Sequence, residues 1–122
     1  MISILLIEDS PSDRRLLEEM LDKSFSVTWA KTRSDAIAQL EHQPFDVILL
    51  DLMLPDSLPP DTFITVKTAA PTTPVIILTG SVLQRFNLKE LLGKSDSYLK
   101  KEELDEESLL AAINNACKKE VK

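Results

Sequence analysis

With a single cysteine, Cys117, the chain cannot close a disulfide within itself, and nothing else in it calls for an oxidising compartment, so a cytoplasmic location is expected. Its two glycines, Gly80 and Gly93, are too few and too far apart for a phosphate-cradling loop, which disfavours nucleotides and flavins. The one histidine, His42, stands at a helix end beside Pro44 with no second ligand candidate nearby, which argues against a metal or phosphohistidine role. Basic residues number 14 against 20 acidic ones, with a net charge of -6 and no dense Lys/Arg run, so nucleic acid is not the expected partner. No apolar run is long enough to cross a membrane. Ile2 to Ile7 has acidic flanking residues instead of a basic region and a cleavage site, so it reads as neither signal peptide nor span. The lone tryptophan, Trp29, falls at a strand end and reads as packing, and Cys117 as a small helix residue.

What is present is ordinary for a soluble globular domain: 122 residues, 43% hydrophobic and 28% charged. That length suits one domain, 1–122, with a core that needs no staples. Four consecutive apolar residues, Val47 to Leu50, lack polar alternation and predict a strand buried on both faces, with Asp51 where it leaves the core. Met1 to Ile7 predicts a similar strand ending in Glu8-Asp9. Ser10-Pro11-Ser12-Asp13 then reads as a helix start, with Leu16, Leu17, Met20 and Leu21 as the apolar stripe through about Lys23.

Phe25 to Trp29 alternates as a half-covered edge strand would. Thr32 and Asp35 open a second helix, which carries Ala36, Ile37 and Leu40 on one face up to Glu41. A short, weakly patterned helix over Asp61 to Ala69 turns Phe63 and Val66 inward. Val75 to Leu78 is another buried strand, ending in Thr79-Gly80-Ser81. A helix over Val82 to Leu92 stops at Gly93, a last strand runs from Asp96 to Lys100, and a final helix from Asp105 to Lys118 spaces Leu109, Ala112, Ile113 and Ala116 helically.

Five strand–helix alternations argue for an α/β fold, a parallel sheet with helices on both faces. If the sheet is doubly wound, its first and third strands meet at the switch point, which brings Glu8, Asp9 and Asp51 together. Three converging carboxylates repel one another unless a cation or proton sits among them, and an all-oxygen donor set favours Mg²⁺. Thr79 adds a hydroxyl at the end of the fourth strand and Lys101 an ammonium just after the fifth. Carboxylate nucleophile, divalent metal, hydroxyl and lysine together are what phosphoryl transfer onto an aspartate needs, and Gly80 would let backbone approach the phosphoryl group.

Leu-Leu-Ile-Glu-Asp-Ser-Pro-Ser-Asp, Asp-Val-Ile-Leu-Leu-Asp-Leu-Met-Leu-Pro, Val-Ile-Ile-Leu-Thr-Gly and Ser-Tyr-Leu-Lys-Lys resemble the receiver domains of two-component response regulators, some of which are single-domain chemotaxis regulators. The resemblance covers essentially the whole chain. It implies a flavodoxin-like, doubly wound five-stranded parallel sheet in the order 2-1-3-4-5, flanked by five helices. It matches Asp51 to the phosphoacceptor, Asp9 to the direct Mg²⁺ ligand and Glu8 to the acid that acts through water, with the Met53 carbonyl completing the metal site. Thr79 matches the switch hydroxyl and Tyr98 the switch aromatic. Lys101 matches the catalytic lysine, because the family's lysine lies three residues after that aromatic; alternation agrees, pairing Tyr98 and Lys100 on one strand face.

The implied function is a phosphorylation-controlled switch in a phosphorelay. It is not an enzyme in the usual sense, although it assists its own phosphorylation and dephosphorylation. The implied partners are a histidine kinase or phosphotransfer protein, and a downstream protein or a second copy docking on the fourth helix, fifth strand and fifth helix. Three departures stand out: Glu102 replaces the usual proline after the lysine, Pro59 stands where a glycine is common, and Lys94 replaces a glycine, with Gly93 one place early. Val82, Leu83 and Phe86 exceed what one buried stripe needs, which suggests an exposed contact. Two rivals remain. A phosphohydrolase commonly needs a second acid two residues past the nucleophile, where Met53 stands; a pseudo-receiver interaction module would ignore phosphorylation.

Overall fold

The computed structural model describes residues 1–21, 24–57, 61–80 and 97–120, apart from the side chains of 79 and 118–120. Five strands, β1 (Ile2–Ile7), β2 (Phe25–Ala30), β3 (Val47–Asp51), β4 (Val75–Thr79) and β5 (Ser97–Lys100), form one sheet in the order β2-β1-β3-β4-β5. All four pairings are parallel. Between them run α1 (Pro11–Met20), α2 (Arg33–His42) and α3 (Asp61–Ala69), and α4 (Glu106–Glu120) closes the described chain after a 3₁₀ turn, Lys101–Glu103. The expected doubly wound sheet and its strand order are therefore present. Of the five expected helices these are four; the one expected over 82–92, with Val82, Leu83 and Phe86, lies outside the described residues, as do Pro59, Gly93 and Lys94.

Parallel strands joined by crossover helices are covered on both faces, which is why Ile4–Ile7 of β1, Val47–Leu50 of β3 and Val75–Leu78 of β4 are unbroken apolar runs. Alternate residues of these strands feed two cores. Leu5, Ile7, Ile48, Leu50 and Ile77 pack with Ala36 of α2 and with Phe63 and Val66 of α3. Ile4, Leu6, Leu49, Ile76 and Leu78 pack with Leu17 of α1 and with Leu109, Ile113 and Ala116 of α4. The period-2 geometry of a strand assigns neighbours to opposite layers. Ile7 pairs with Leu50 and Asp51 with Leu78, so the acidic ends of β1 and β3 emerge side by side at one rim.

Local chemistry sets the helix starts. Ser10 Oγ accepts from the Asp13 amide with Pro11 in the first helical position, and Thr32 Oγ1 accepts from the Asp35 amide at 3.0 Å. At α4 the exchange is reciprocal: Ser108 N donates to Asp105 Oδ1 and Asp105 N to Ser108 Oγ. Each such cap is worth about 1 kcal/mol.

Two details of α1 differ from expectation. The helix ends at Met20, because Leu21 is extended, turns its N–H back to the Leu17 and Glu18 carbonyls, and buries its side chain beneath the sheet. Leu16, expected on the apolar stripe, is 48% exposed; α1 meets the sheet through Leu17, Met20 and Leu21, a narrower seam that leaves Leu16 facing outward.

Candidate functional site

The rim beyond β1 and β3 holds a cleft of about 280 Å³ whose walls include Glu8, Asp9, Asp51, Met53, Gly80 and Lys101. Glu8 is fully buried and Asp51 is 5% exposed, so two carboxylates stand nearly out of water at the strand ends. Glu8, Asp9 and Asp51 each offer an oxygen within 4.8 Å of the others. Met53 joins them through its backbone, since its N–H donates to Asp51 Oδ1 at 3.1 Å.

Lys101 reaches this group from the far edge of the sheet. Its Nζ lies 2.7 Å from Glu8 Oε2 and 3.2 Å from Asp51 Oδ2. It also donates to Asp13 Oδ2 at 3.1 Å. Without proline at 102 the chain leaves β5 through the 3₁₀ turn, closed by Leu104 N to Lys101 O, and that turn aims the lysine back into the cleft. Lys100, the neighbouring lysine, is exposed, as is Tyr98 two residues before it on the same strand face.

The electrostatics follow from burial. Removal from water, with the Asp51 charge beside it, pushes the Glu8 carboxyl up to about 7, although the Lys101 ammonium pulls the other way. Burial alone would lower the Lys101 pKa; the Asp51, Glu8 and Asp13 carboxylates outweigh it and hold the ammonium above its ordinary range. Glu8 Oε2 accepts no aligned hydrogen bond from the described residues and meets the lysine as an ion pair. A buried, hard oxygen left in that state, with two more carboxylates in reach, fits a small divalent cation such as Mg²⁺.

Every expected cleft residue whose side chain is described thus converges: Glu8, Asp9, Asp51, Met53 and Lys101. Thr79 ends β4 opposite Lys100, and its side chain lies outside the described residues. Tyr98 is 47% exposed and lines a separate cleft of about 370 Å³ with Leu104 and Ser108. A Cβ at Gly80 would meet nothing within 4 Å, so packing does not demand glycine there; its absence of a side chain leaves room in the cleft.

Two participants escape a reading of the sequence. Asp13 has the ordinary role of an acid in the first helical turn, and only the fold shows that it shares Lys101. Trp29 donates its indole N–H to the Glu8 carbonyl at 2.6 Å, a contact no local pattern announces.

The rim also has a scaffold behind it. Leu54 to Ser57 forms a tight turn, with Ser57 N donating to Leu54 O. In that turn Asp56 accepts from Arg33 N, Ser34 N and Ser34 Oγ at the start of α2, and these bonds hold its carboxyl below the usual range although its slight burial opposes them. Thr62 Oγ1 donates to Leu52 O and is 2.6 Å from Ser57 Oγ, fastening the same segment to α3.

Comparison with known proteins agrees with this geometry. The family model described as response regulator receiver domain matches residues 4–114. The chain is 33% identical over 99 residues to the cell cycle transcriptional regulator CtrA of Caulobacter vibrioides, covering 80% of this chain and 43% of that protein. It is 33% identical over 120 residues to the luminescence regulatory protein LuxO of Vibrio campbellii, covering 96% of this chain and 26% of that one. It therefore spans less than half the length of these relatives.

Among solved structures, a CheY-like receiver domain protein of Methanospirillum hungatei shares the fold, with a TM-score of 0.85, 21% identity, and coverage of 98% of this chain and 96% of that one. The receiver domain of a sensor histidine kinase from Pseudomonas aeruginosa superposes with a TM-score of 0.82 at 25% identity, covering 96% of this chain and 98% of its own, and carries a magnesium ion in its active-site cleft.

Proposed function

Because this chain belongs to the response regulator receiver domain family, whose members are phosphoacceptor signalling domains, we propose that Asp51 is its phosphoacceptor and that phosphorylation changes what it binds. The observation that carries the reading is the meeting of Lys101 Nζ with Asp51 Oδ2 at 3.2 Å inside a cluster of acids. An Asp51 oxygen forms the new bond to phosphorus as the donor's bond to phosphorus breaks, the electron pair leaving with the imidazole of a phosphohistidine or with a small acyl phosphate's carboxylate. Lys101, already charged and held in the cleft, turns its N–H groups to the phosphoryl oxygens.

Glu8, Asp9, Asp51 and the Met53 carbonyl would hold Mg²⁺, which when bound offsets charge on the transferring group. The same residues assist hydrolysis of the acyl phosphate. The new oxygens on Asp51 draw in the Thr79 hydroxyl, and Tyr98, now turned outward, rotates inward. The surface around β5 and α4 then changes for a downstream protein or a second copy. The donor is a histidine kinase or phosphotransfer protein, and the setting is the cytoplasm.

Convergence of all the acids with the lysine supports this reading over a pseudo-receiver, which has no need of a buried charge cluster. Incubation with Mg²⁺ and acetyl phosphate, followed by intact mass, tests it. A single phosphoryl adduct is expected, absent in Asp51→Asn. No adduct would favour the pseudo-receiver, and continuous release of phosphate the phosphohydrolase.

A further inference from the structure

Ile7 pairs with Ala30 as the last rung between β1 and β2, and the chain turns away at Glu8-Asp9 toward α1. One backbone bond continues past that rung, Glu8 N to Ala30 O at 3.1 Å. The carbonyl of Glu8 has run out of strand to pair with. The Trp29 side chain takes the place of the missing backbone donor, its Nε1 lying 2.6 Å from Glu8 O. That carbonyl belongs to the peptide joining Glu8 to Asp9, so the indole holds the one peptide group that sets the two acids relative to each other.

The indole is itself held. The Arg14 guanidinium lies 3.9 Å from the centre of the Trp29 ring, and Arg14 is paired with Glu18 on the next turn of α1. Stacking of this kind fixes the ring plane and with it the direction of the N–H.

We infer that Trp29 is a positioning residue for the acidic cleft, holding the Glu8–Asp9 peptide so that their carboxylates face Asp51 at cation-binding separation. Rotation of that peptide would swing Asp9 away from Glu8 and Asp51, and loss of such an outer partner costs about 10- to 100-fold in metal affinity. The inference rests on the reading of Glu8, Asp9 and Asp51 as a Mg²⁺ site.

Trp29 is the only tryptophan, so growth on the benzothiophene analogue of tryptophan alters this position alone, exchanging the N–H for sulfur in a ring of the same shape. Calorimetric titration with Mg²⁺ is expected to show affinity weakened on the order of 10-fold, and Trp29→Phe to show a similar loss. In the unsubstituted, metal-free protein the indole N–H proton should exchange slowly with solvent and its resonance should move as Mg²⁺ is added. Mg²⁺ affinity within about two-fold of the natural chain in both variants would overturn the role of Trp29 while leaving the metal site standing. A natural chain that binds no Mg²⁺ would overturn both.

Discussion

Lys101 and Asp13 stand 88 residues apart in the chain, yet the lysine ammonium donates to the Asp13 carboxylate at 3.1 Å. Asp13 thus competes with Glu8 and Asp51 for the one cation among the described residues that line this cleft, and it adds negative charge where a phosphoryl donor must approach. Asp13→Asn is expected to speed phosphorylation by acetyl phosphate about 2- to 5-fold, the effect of roughly 0.5 to 1 kcal/mol at a half-exposed pair. Time-resolved intact mass measures this. A slower reaction would show that Asp13 helps to present the lysine.

Removing the lysine leaves Glu8 buried without a counter-ion. Lys101→Met should therefore destabilise the metal-free protein by roughly 3 kcal/mol at mildly alkaline pH, above the Glu8 value of about 7, and by less in mild acid, where Glu8 carries its own proton with or without the lysine. Urea unfolding at the two pH values tests the difference. Equal losses at both would mean that lost packing of the lysine stem, and not charge, sets the cost.

The Glu8 carboxyl rises from 4.5 to about 7 on folding. Between those values the folded chain holds a proton that the unfolded chain has lost, so folding takes up a proton. The contribution of Glu8 to stability is then greatest in mild acid, falls as pH rises through this window, and levels off above about 7, a change on the order of 3 kcal/mol. Glu8→Gln should flatten the profile of the metal-free protein. Saturating Mg²⁺ should oppose the decline, because a cation binds the carboxylate and competes with the proton. Metal-free stability that climbs steadily across the window would contradict the assignment.

Asp56 carries three hydrogen bonds to the first turn of α2 from the loop that follows Asp51. Asp56→Ala should cost about 1 kcal/mol, as loss of a helix N-terminal cap does. It should also weaken Mg²⁺ binding, because the same short loop contains Met53. Calorimetry and thermal unfolding on one preparation separate the two effects; stability loss with unchanged Mg²⁺ affinity would confine Asp56 to the scaffold.

Much of this architecture was legible in one dimension. Val47–Leu50 and Val75–Leu78 have no polar residue to face water, and such runs are stable only between two helical layers; hence the parallel sheet, with acids where the runs stop. Ser10 with Pro11, and Thr32 with Asp35, state their helix starts in local chemistry that needs no tertiary partner. Leu16 was misread because helical spacing alone does not say how wide a seam a neighbouring sheet will cover. Asp13 and Trp29 have nothing nearby in sequence that marks them: each acts through an atom brought to it from another strand or from the far end of the chain. Residue order therefore determined which groups sit at strand ends, since patterning and capping act over a few residues. Only the crossovers decided which of those ends share a rim, and burial there decided which carboxyl holds its proton most tightly, because Coulomb interaction and desolvation depend on distance through space.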